Sequence, residues 1–561
     1  MAQNLNFVNC SQTDVLIIGA GPTGLTVANI LAHYNINFRI IDNKNGSSTE
    51  SKALAVHAGT LELWDKLRIA DKAIEQGQKA TEVHLLIRGK PARCGLPLLP
   101  LTKMAEGFTP YPYLLVLEQS KTERLLIDAL AEFSMQVEWR TELLKLTQTS
   151  DETTAIIRHD DGSEETIAAK WVVGADGASS TVRYELNLEF KGSTYGQMFC
   201  LADIEMTWSL DRDKYYANLY RQGMFAFFPM VGKNHYRLIA TVPPELAAKE
   251  KISVEDIQAT LDKHSGLNIK VHSANWISRY KIHSRIVERF RVRRCFLAGD
   301  AAHIHSPAGG QGMNLGIGDA FNLGWKLALV VRGETHSSLL ESYETERMPI
   351  SYTILNGTDK GFIFQSTSNP LLQQLRLWIG HYLPALMTRT GLIKKFLKLI
   401  MQLWIHYRTS PIVHQFPEIK KNTNIVQAGD RAPYDFLKNN ANNPVSIFSL
   451  LKVTGHQLLV FEGLWSEEQF EDLESKLRVL IAHYSPSICI HLIGKEHHSL
   501  HKSYNVNNTS TLFLIRPDGY IAYRGQANAL NEFAAYLDTL FTKHEVASIT
   551  DDSCSTSMVN R

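Results

Sequence analysis

The sequence has no stretch of about twenty uninterrupted apolar residues, the length a helix needs to cross a bilayer, so a spanning segment is not expected. Its opening residues, MAQNLNFVNCSQTD, lack a basic region followed by an apolar run, so no secretory leader is expected. There is no excess of charge of either sign. Lys and Arg total 58, Asp and Glu total 57, and the net charge is +1, which argues against a dedicated nucleic-acid binder and against a long-range steering field. Cysteine is sparse. Cys10, Cys94, Cys200, Cys295, Cys489 and Cys554 are scattered, none forms Cys-x-x-Cys, and none pairs with histidine at zinc-ligand spacing. No metal site is therefore expected, and reduced thiols in a cytoplasmic chain are. Internal repeats and low-complexity tracts are also lacking. A chain of 561 residues with 44% hydrophobic content is an ordinary globular composition spread over about two to four units.

The most informative stretch runs from Phe296 to Ala328. A short apolar strand, Cys295 to Ala298, leads into an acid on a tight turn, Gly299-Asp300. A loop of small residues from Ser306 to Gly312 follows, and then a long helix with apolar residues at Met313, Ile317, Ala320, Phe321 and Gly324, a three/four spacing. Small residues let a backbone approach a flat ligand. A helix start after them offers free N–H groups and a positive dipole end. A second motif lies near the N-terminus. The strand Asp14 to Ile18 runs into Gly19-Ala20-Gly21-Pro22-Thr23-Gly24, then a helix to about Tyr34, then a strand Phe38 to Ile41 ending in Asp42. In this strand–helix–strand–acid context the glycines read as a dinucleotide fingerprint, with Asp42 placed for a ribose. A third piece, the strand Trp171 to Gly174 with Ala175-Asp176-Gly177 and Arg183, offers an acid for sugar hydroxyls and a guanidinium for a phosphate.

Other stretches are less specific. Lys52 could face phosphates, His57 reads as a core or loop histidine, and Gln119 opens a helix. Alternation predicts strands at Val83–Arg88, Tyr113–Leu117, Cys200–Met206, Tyr215–Tyr220, Phe225–Pro229 and Tyr236–Val242. The last four form an antiparallel sheet whose aromatic residues could roof a flat apolar substrate. No acidic residue occurs from Lys360 to Pro417, where helices are predicted at Leu375–Leu383 and Leu392–Tyr407. Packing on the protein or on a partner subunit is expected of them, and membrane docking is the rival. Strands at Gln457–Glu462, Ile488–Ile493 and Thr511–Ile515, a turn at Arg516-Pro517-Asp518-Gly519 and a helix from Asn531 to Phe541 make a separate α/β unit. The last residues, 546–561, read as disordered.

The three motifs in this order, with an aromatic β insertion between the last two, resemble the single-component FAD-dependent aromatic hydroxylases, the group A flavoprotein monooxygenases. The segment GDAAHIHSPAGGQGMNLGIGDAFNLGWKLA is most similar to the phenol hydroxylase and polyketide hydroxylase branch. The resemblance covers about residues 12 to 540. It implies an α/β fold: a Rossmann-like FAD-binding domain in two parts (12–190 and 287–358), an inserted β-rich substrate domain (191–286), a helical connector (359–425) and a thioredoxin-like domain lacking Cys-x-x-Cys (426–545). It implies that Gly19, Gly21 and Gly24 hold the FAD pyrophosphate, Asp42 the adenosine ribose, and Asp300 the ribityl or pyrophosphate region. Gln119 would bond near the flavin, and Asp176 would lie in a motif tied to both FAD and NAD(P)H. Gly312, Met313 and Asn314 would present N–H groups to the flavin pyrimidine edge. Lys52 stands where the family commonly has arginine, and loses the planar fork.

The implied reaction is hydroxylation of a phenolic or polycyclic aromatic compound through a flavin hydroperoxide, with NAD(P)H and O2. Pro307 in the loop and Tyr220 and Phe227 in the sheet are candidates for the substrate side, and a homodimer is one expectation for the assembly. A halogenase or reductase of the same fold and a non-catalytic, membrane-docked flavoprotein are the alternatives. No tryptophan lies two residues from another, so the halogenase signature Trp-x-Trp-x-Ile-Pro is missing. Asp300→Ala is expected to lose FAD or activity, and Asp518→Ala, in the Arg516–Gly519 turn, to change little.

Overall fold

The computed structural model describes residues 10–49, 53–92, 98–306, 309–366, 369–418, 425–438, 443–451, 454–484 and 488–543. Lys52, Pro307 and the tail 546–561 lie outside them.

Three sheets organise the described residues. In the first, Cys10–Ile18 is central and pairs in parallel with Phe38–Asp42 on one side and Glu164–Gly174 on the other. Cys295–Leu297 adds in parallel to the end of Glu164–Gly174. Val15, Leu16, Ile17, Val172, Val173 and Phe296 are fully buried, as expected of parallel strands, whose continuous apolar runs reflect cover on both faces. Helices Pro22–His33 and Gly312–Val331 pack together there. A Cβ on Gly324 would lie 2.9 Å from Ile30 Cγ2, so only hydrogen at position 324 allows this approach.

The second sheet has nine strands. Two 18-residue strands, Phe190–Thr207 and Lys270–Val287, pair antiparallel. His235–Thr241, Gly223–Pro229 and Lys214–Tyr220 follow in that order. The expected split at residue 190 needs one correction. Glu82–Ile87, from the first segment, pairs in parallel with Lys214–Tyr220, so the insertion recruits a strand from the chain before it. The third sheet is ordered His414–Phe416, Ile521–Gln526, Thr511–Ile515, His456–Phe461, Ile488–Ile493. Its edge strand His414–Phe416 comes from the stretch read as helical connector.

Within that connector the helix Pro370–Arg389 is longer than expected and Leu392–Ile400 is shorter. The first buries Leu377 and packs Gly380 against the second sheet, where a Cβ on Gly380 would sit 3.3 Å from Leu219 Cδ1 and 3.4 Å from Ile87 Cδ1. Its opposite face leaves Leu371, Leu375, Trp378, Tyr382 and Leu386 exposed, Trp378 by 61%. No helix among the described residues is long and apolar enough to cross a membrane. Cys200 and Cys295 are buried free thiols.

Candidate active site

The strands Cys10–Ile18, Phe38–Asp42, Glu164–Gly174 and Cys295–Leu297 run in parallel and end at one edge of the first sheet, and the turns beyond them are stitched together. Gly19 N–H donates to Ile41 O at 2.8 Å, Ala175 N–H to Ile18 O at 2.7 Å, and Ala298 N–H to Gly174 O at 3.0 Å. This edge, beyond the carboxyl ends of the strands, is where open α/β sheets bind ligands. Two glycines carry the contact between the turns. Gly19 has φ +102°, and a Cβ there would lie 2.4 Å from Ala175 O and 2.8 Å from Asp176 Cα. Gly299 has φ +61°, and its Cβ would lie 2.5 Å from Thr23 Oγ1. The first motif thus touches the second through Gly19 and the third through Thr23.

Asp42 is 6% exposed and accepts from Ala20 N–H at 2.7 Å and Lys44 N–H at 2.9 Å. It therefore shapes the glycine turn from the next strand. Asp176 accepts from Ser180 Oγ at 2.5 Å and Val182 N–H at 3.1 Å. Burial pushes its carboxyl above the ordinary value, against the pull of these hydrogen bonds. Arg183, expected to suit a phosphate, instead donates to Ala301 O at 2.9 Å and Ala178 O at 2.6 Å, tying the second motif to the third. Asp300 is exposed on the short turn Gly299–Ala301.

Two helices begin at this edge. Pro22–His33 starts after Gly21, with Pro22 where its missing N–H costs nothing. Its first internal bond is Leu25 N–H to Gly21 O at 2.9 Å. In Gly312–Val331 the first is Leu315 N–H to Gln311 O at 2.8 Å, so the N–H groups of Gly312, Met313 and Asn314 precede the helical ladder. The Asn314 side chain is a clamp. Its Nδ2 donates to Ala55 O and Gly310 O, both at 2.8 Å, and its Oδ1 accepts from His57 N–H at 2.9 Å and Thr60 Oγ1 at 2.7 Å. His57 is fully buried, and burial lowers its pKa to about 4, so the neutral ring donates from Nε2 to Gly309 O at 3.0 Å. Gln119 accepts from Ala53 N–H at 3.3 Å and donates to Glu123 Oε1 at 2.9 Å. It braces the segment that leads into Ala55. These residues fit a dinucleotide. Two helix starts supply N–H donors and positive dipole ends, and a Cβ built on Gly21 meets no heavy atom within 4 Å, so space lies open beside the fingerprint.

Residues 12–358 match a family described as an FAD binding domain. The chain belongs to this family. It is 36% identical over 345 residues to the 6-methylpretetramide 4-monooxygenase of Streptomyces rimosus, covering 61% of this chain and 60% of that one, so the match spans less than two thirds of that relative. It is 32% identical over 516 residues to a flavin-dependent monooxygenase of Mycobacteroides abscessus, covering 90% and 96%. The solved structure of an anhydrotetracycline hydroxylase from Streptomyces rimosus superposes with a TM-score of 0.72 at 26% identity, covering 94% of this chain and 99% of that one. These relatives agree with the phenol and polyketide hydroxylase branch that the motifs resemble.

Within this FAD-binding-domain chain, the expectation for Tyr220 and Phe227 requires correction. Phe227 is fully buried and Tyr220 is 2% exposed. Both lie in the core on the sheet face that also buries Ile257 and Leu261 of helix Val254–His264, and Tyr220 stacks on Phe225 at 4.9 Å. Side chains alternate across a strand, so Ala226 and Phe228 take the other face, clustered with Leu54, Ala80, Val116 and Met230. Leu54 adjoins Ala55, against which a Cβ on Gly310 would press at 2.6 Å.

The sequence reading missed a buried polar cluster behind the third motif. Asp319 accepts from Gly299 N–H at 3.1 Å, from His303 Nε2 at 2.7 Å and from Arg347 Nε at 2.7 Å. Arg347 also donates to Leu315 O at 3.0 Å and Tyr407 Oη at 2.9 Å. Burial opposes ionisation of Asp319, yet Arg347 and His303 outweigh it and hold the carboxyl below its ordinary value. A signal was present: Asp319, Asn322 and Lys326 recur at three/four spacing on an otherwise apolar helix.

Proposed function

We propose that the protein is an FAD-dependent monooxygenase that hydroxylates a phenolic or polycyclic aromatic compound, with NAD(P)H and O2 as co-substrates. The observation that carries this reading is the contact of three distant motifs, Gly19 on Asp176 and Thr23 on Gly299, at the carboxyl edge of one parallel sheet, within a chain of the FAD binding domain family. Bound FAD would supply hydride acceptance from NAD(P)H and activation of O2.

The chain's own residues would do the rest. The N–H groups at Thr23 and Gly24, in the first turn of helix Pro22–His33, would hold the pyrophosphate, and Asp42 would hold the ribose. The N–H groups of Gly312 to Asn314 would stabilise negative charge on the ring edge, a donor set held in place before it is needed. Asn314 and His57 hold the 309–310 turn. The apolar cluster of Leu54, Val116, Ala226, Phe228 and Met230 would form the substrate side and keep water from the reacting atoms. The C-terminal sheet supports a thioredoxin-like unit over about 426–545, joined by the strand His414–Phe416. The domain divisions near 190 and 286 rest on the change between parallel and antiparallel pairing. Free thiols are in keeping with a cytoplasmic protein.

The test is substrate-stimulated NAD(P)H oxidation with oxygen uptake on a panel of phenols and polycyclic phenolic compounds, using FAD-loaded protein. Stimulation by at least one aromatic compound, with a hydroxylated product, is expected. Asp300→Ala is expected to lower flavin retention or kcat by tenfold or more, on the order of 1.4 kcal/mol. Protein that stays colourless after addition of FAD, or Asp300→Ala with wild-type turnover, would count against the reading.

A further inference from the structure

A cavity lies away from the flavin edge, where the C-terminal unit meets helix Ala58–Lys66 and the middle of helix Gly312–Val331. It has a volume of about 50 Å³ between side chains that include Glu62, Lys66, Arg347, Gln402, Tyr520 and Asp518. Charged groups converge on it, and all but one are matched. Arg431 donates from Nε to Glu62 Oε2 at 2.7 Å. Arg347 is held by Asp319 and Tyr407. Asp518 accepts from Arg516 Nε at 3.0 Å. Lys66 is the surplus cation. Among the described residues it has no ion pair and no hydrogen-bond partner for its ammonium. Burial lowers its pKa only to about 8, so it is charged at pH 7. A second donor is also unmatched. Gln402 is 7% exposed, and its Nε2 is buried without a hydrogen-bond partner. A buried donor without an acceptor is costly, the Lys66 side chain is half-buried beside it in the cavity wall, and one acceptor-rich anion would serve both.

We infer that this cavity is a binding site for a small oxyanion, carrying carboxylate or phosphate oxygens, that pairs with Lys66 and accepts from Gln402. Its occupant would join three segments: Lys66 of the flavin-binding part, Gln402 of the connector and the turn at Asp518-Gly519-Tyr520. A Cβ on Gly519 would stand 3.5 Å from Lys66 Nζ, so the C-terminal turn closes directly over the ammonium. The anion would thereby favour docking of the C-terminal unit onto the flavin helix.

The experiment is calorimetric titration and thermal melting of the full-length FAD-loaded protein with inorganic phosphate and, separately, malonate, at constant ionic strength set with sodium chloride. At least one anion is expected to bind saturably and raise the Tm as ligands of a native state do. The better of the two names the source chemistry. Lys66→Met is expected to weaken binding roughly tenfold or more and Gln402→Leu roughly fivefold. If Lys66→Met fails to fold, Gln402→Leu alone decides. Absence of saturable binding by both anions would overturn the inference, as would unchanged affinity in the variants. Loss of hydroxylase activity plays no part in this readout, so the two proposals can fail separately.

Discussion

Gly24→Ala is expected to yield protein that cannot retain FAD. A Cβ at this position would lie 1.9 Å from Gly19 O and 3.3 Å from Ala175 Cβ. The first obstacle is backbone and cannot swing aside, so helix Pro22–His33 must lift from its strand. Overpacking of this kind costs ~3 kcal/mol or more, and flavin affinity should fall about a hundredfold or more. Gly21→Ala separates the roles. Its Cβ meets nothing of the chain within 4 Å, and its φ of −78° suits any residue. The apoprotein should therefore melt as wild type does, while the added methyl intrudes on the space proposed for the pyrophosphate and weakens FAD. Flavin absorbance per protein after purification, and apoprotein Tm, read both outcomes. A yellow Gly24→Ala protein at wild-type stoichiometry would remove the close packing of the fingerprint from the argument.

Glu346→Leu is expected to cause the largest loss of stability. Glu346 is 3% exposed and accepts from Asn322 Nδ2 at 2.6 Å, Lys326 Nζ at 2.8 Å, Ser410 Oγ at 2.6 Å and the two terminal nitrogens of Arg516 at 2.7 and 2.9 Å. It is the common acceptor of the flavin-side helix, the connector and the C-terminal unit. Removing it strands Lys326 and leaves Arg516 with Asp518 alone, both cations being buried, at a cost of ~3–5 kcal/mol, or a fall in Tm of roughly 3–5 °C. Burial opposes ionisation of Glu346, but the charges of Arg516 and Lys326 and their hydrogen bonds prevail and hold the carboxyl well below the usual carboxylate range. A depressed native pKa gives stability that is complete above the unfolded value of about 4.3 and is lost as pH falls toward the native one. The wild-type advantage over Glu346→Gln should therefore be full above about pH 5 and shrink in acid. Chemical denaturation at several pH values checks this, and a pH-independent difference would refute it.

The same network overturns the expectation for Asp518. It is 4% exposed and bonded to Arg516, so Asp518→Ala should destabilise the protein, by less than Glu346→Leu because Arg516 keeps Glu346. The turn sequence Arg516-Pro517-Asp518-Gly519 was legible. Its burial was not, because the C-terminal unit docks on this turn, and docking is a long-range event that local composition does not encode. The strand Glu82–Ile87 was recognised, yet its membership of the second sheet follows from pairing with a segment more than a hundred residues on. Tyr220 and Phe227 show a finer limit. Alternation says that successive residues face opposite sides, but which side meets the flavin edge depends on where helix Val254–His264 settles.

By itself the sequence determined the parallel sheet, the two helix starts and the glycines of the fingerprint, because these are dictated by contiguous hydrophobic runs, φ preferences and free N–H groups within a few residues of each other. It also determined the order of the three motifs and hence the family. Only the tertiary structure decided that Thr23 meets Gly299, that Arg183 ties the second motif to the third, and that a carboxylate at 346 neutralises cations from two distant segments. Those contacts depend on burial, and burial of a polar group is worthwhile only when its partner arrives from elsewhere in the chain.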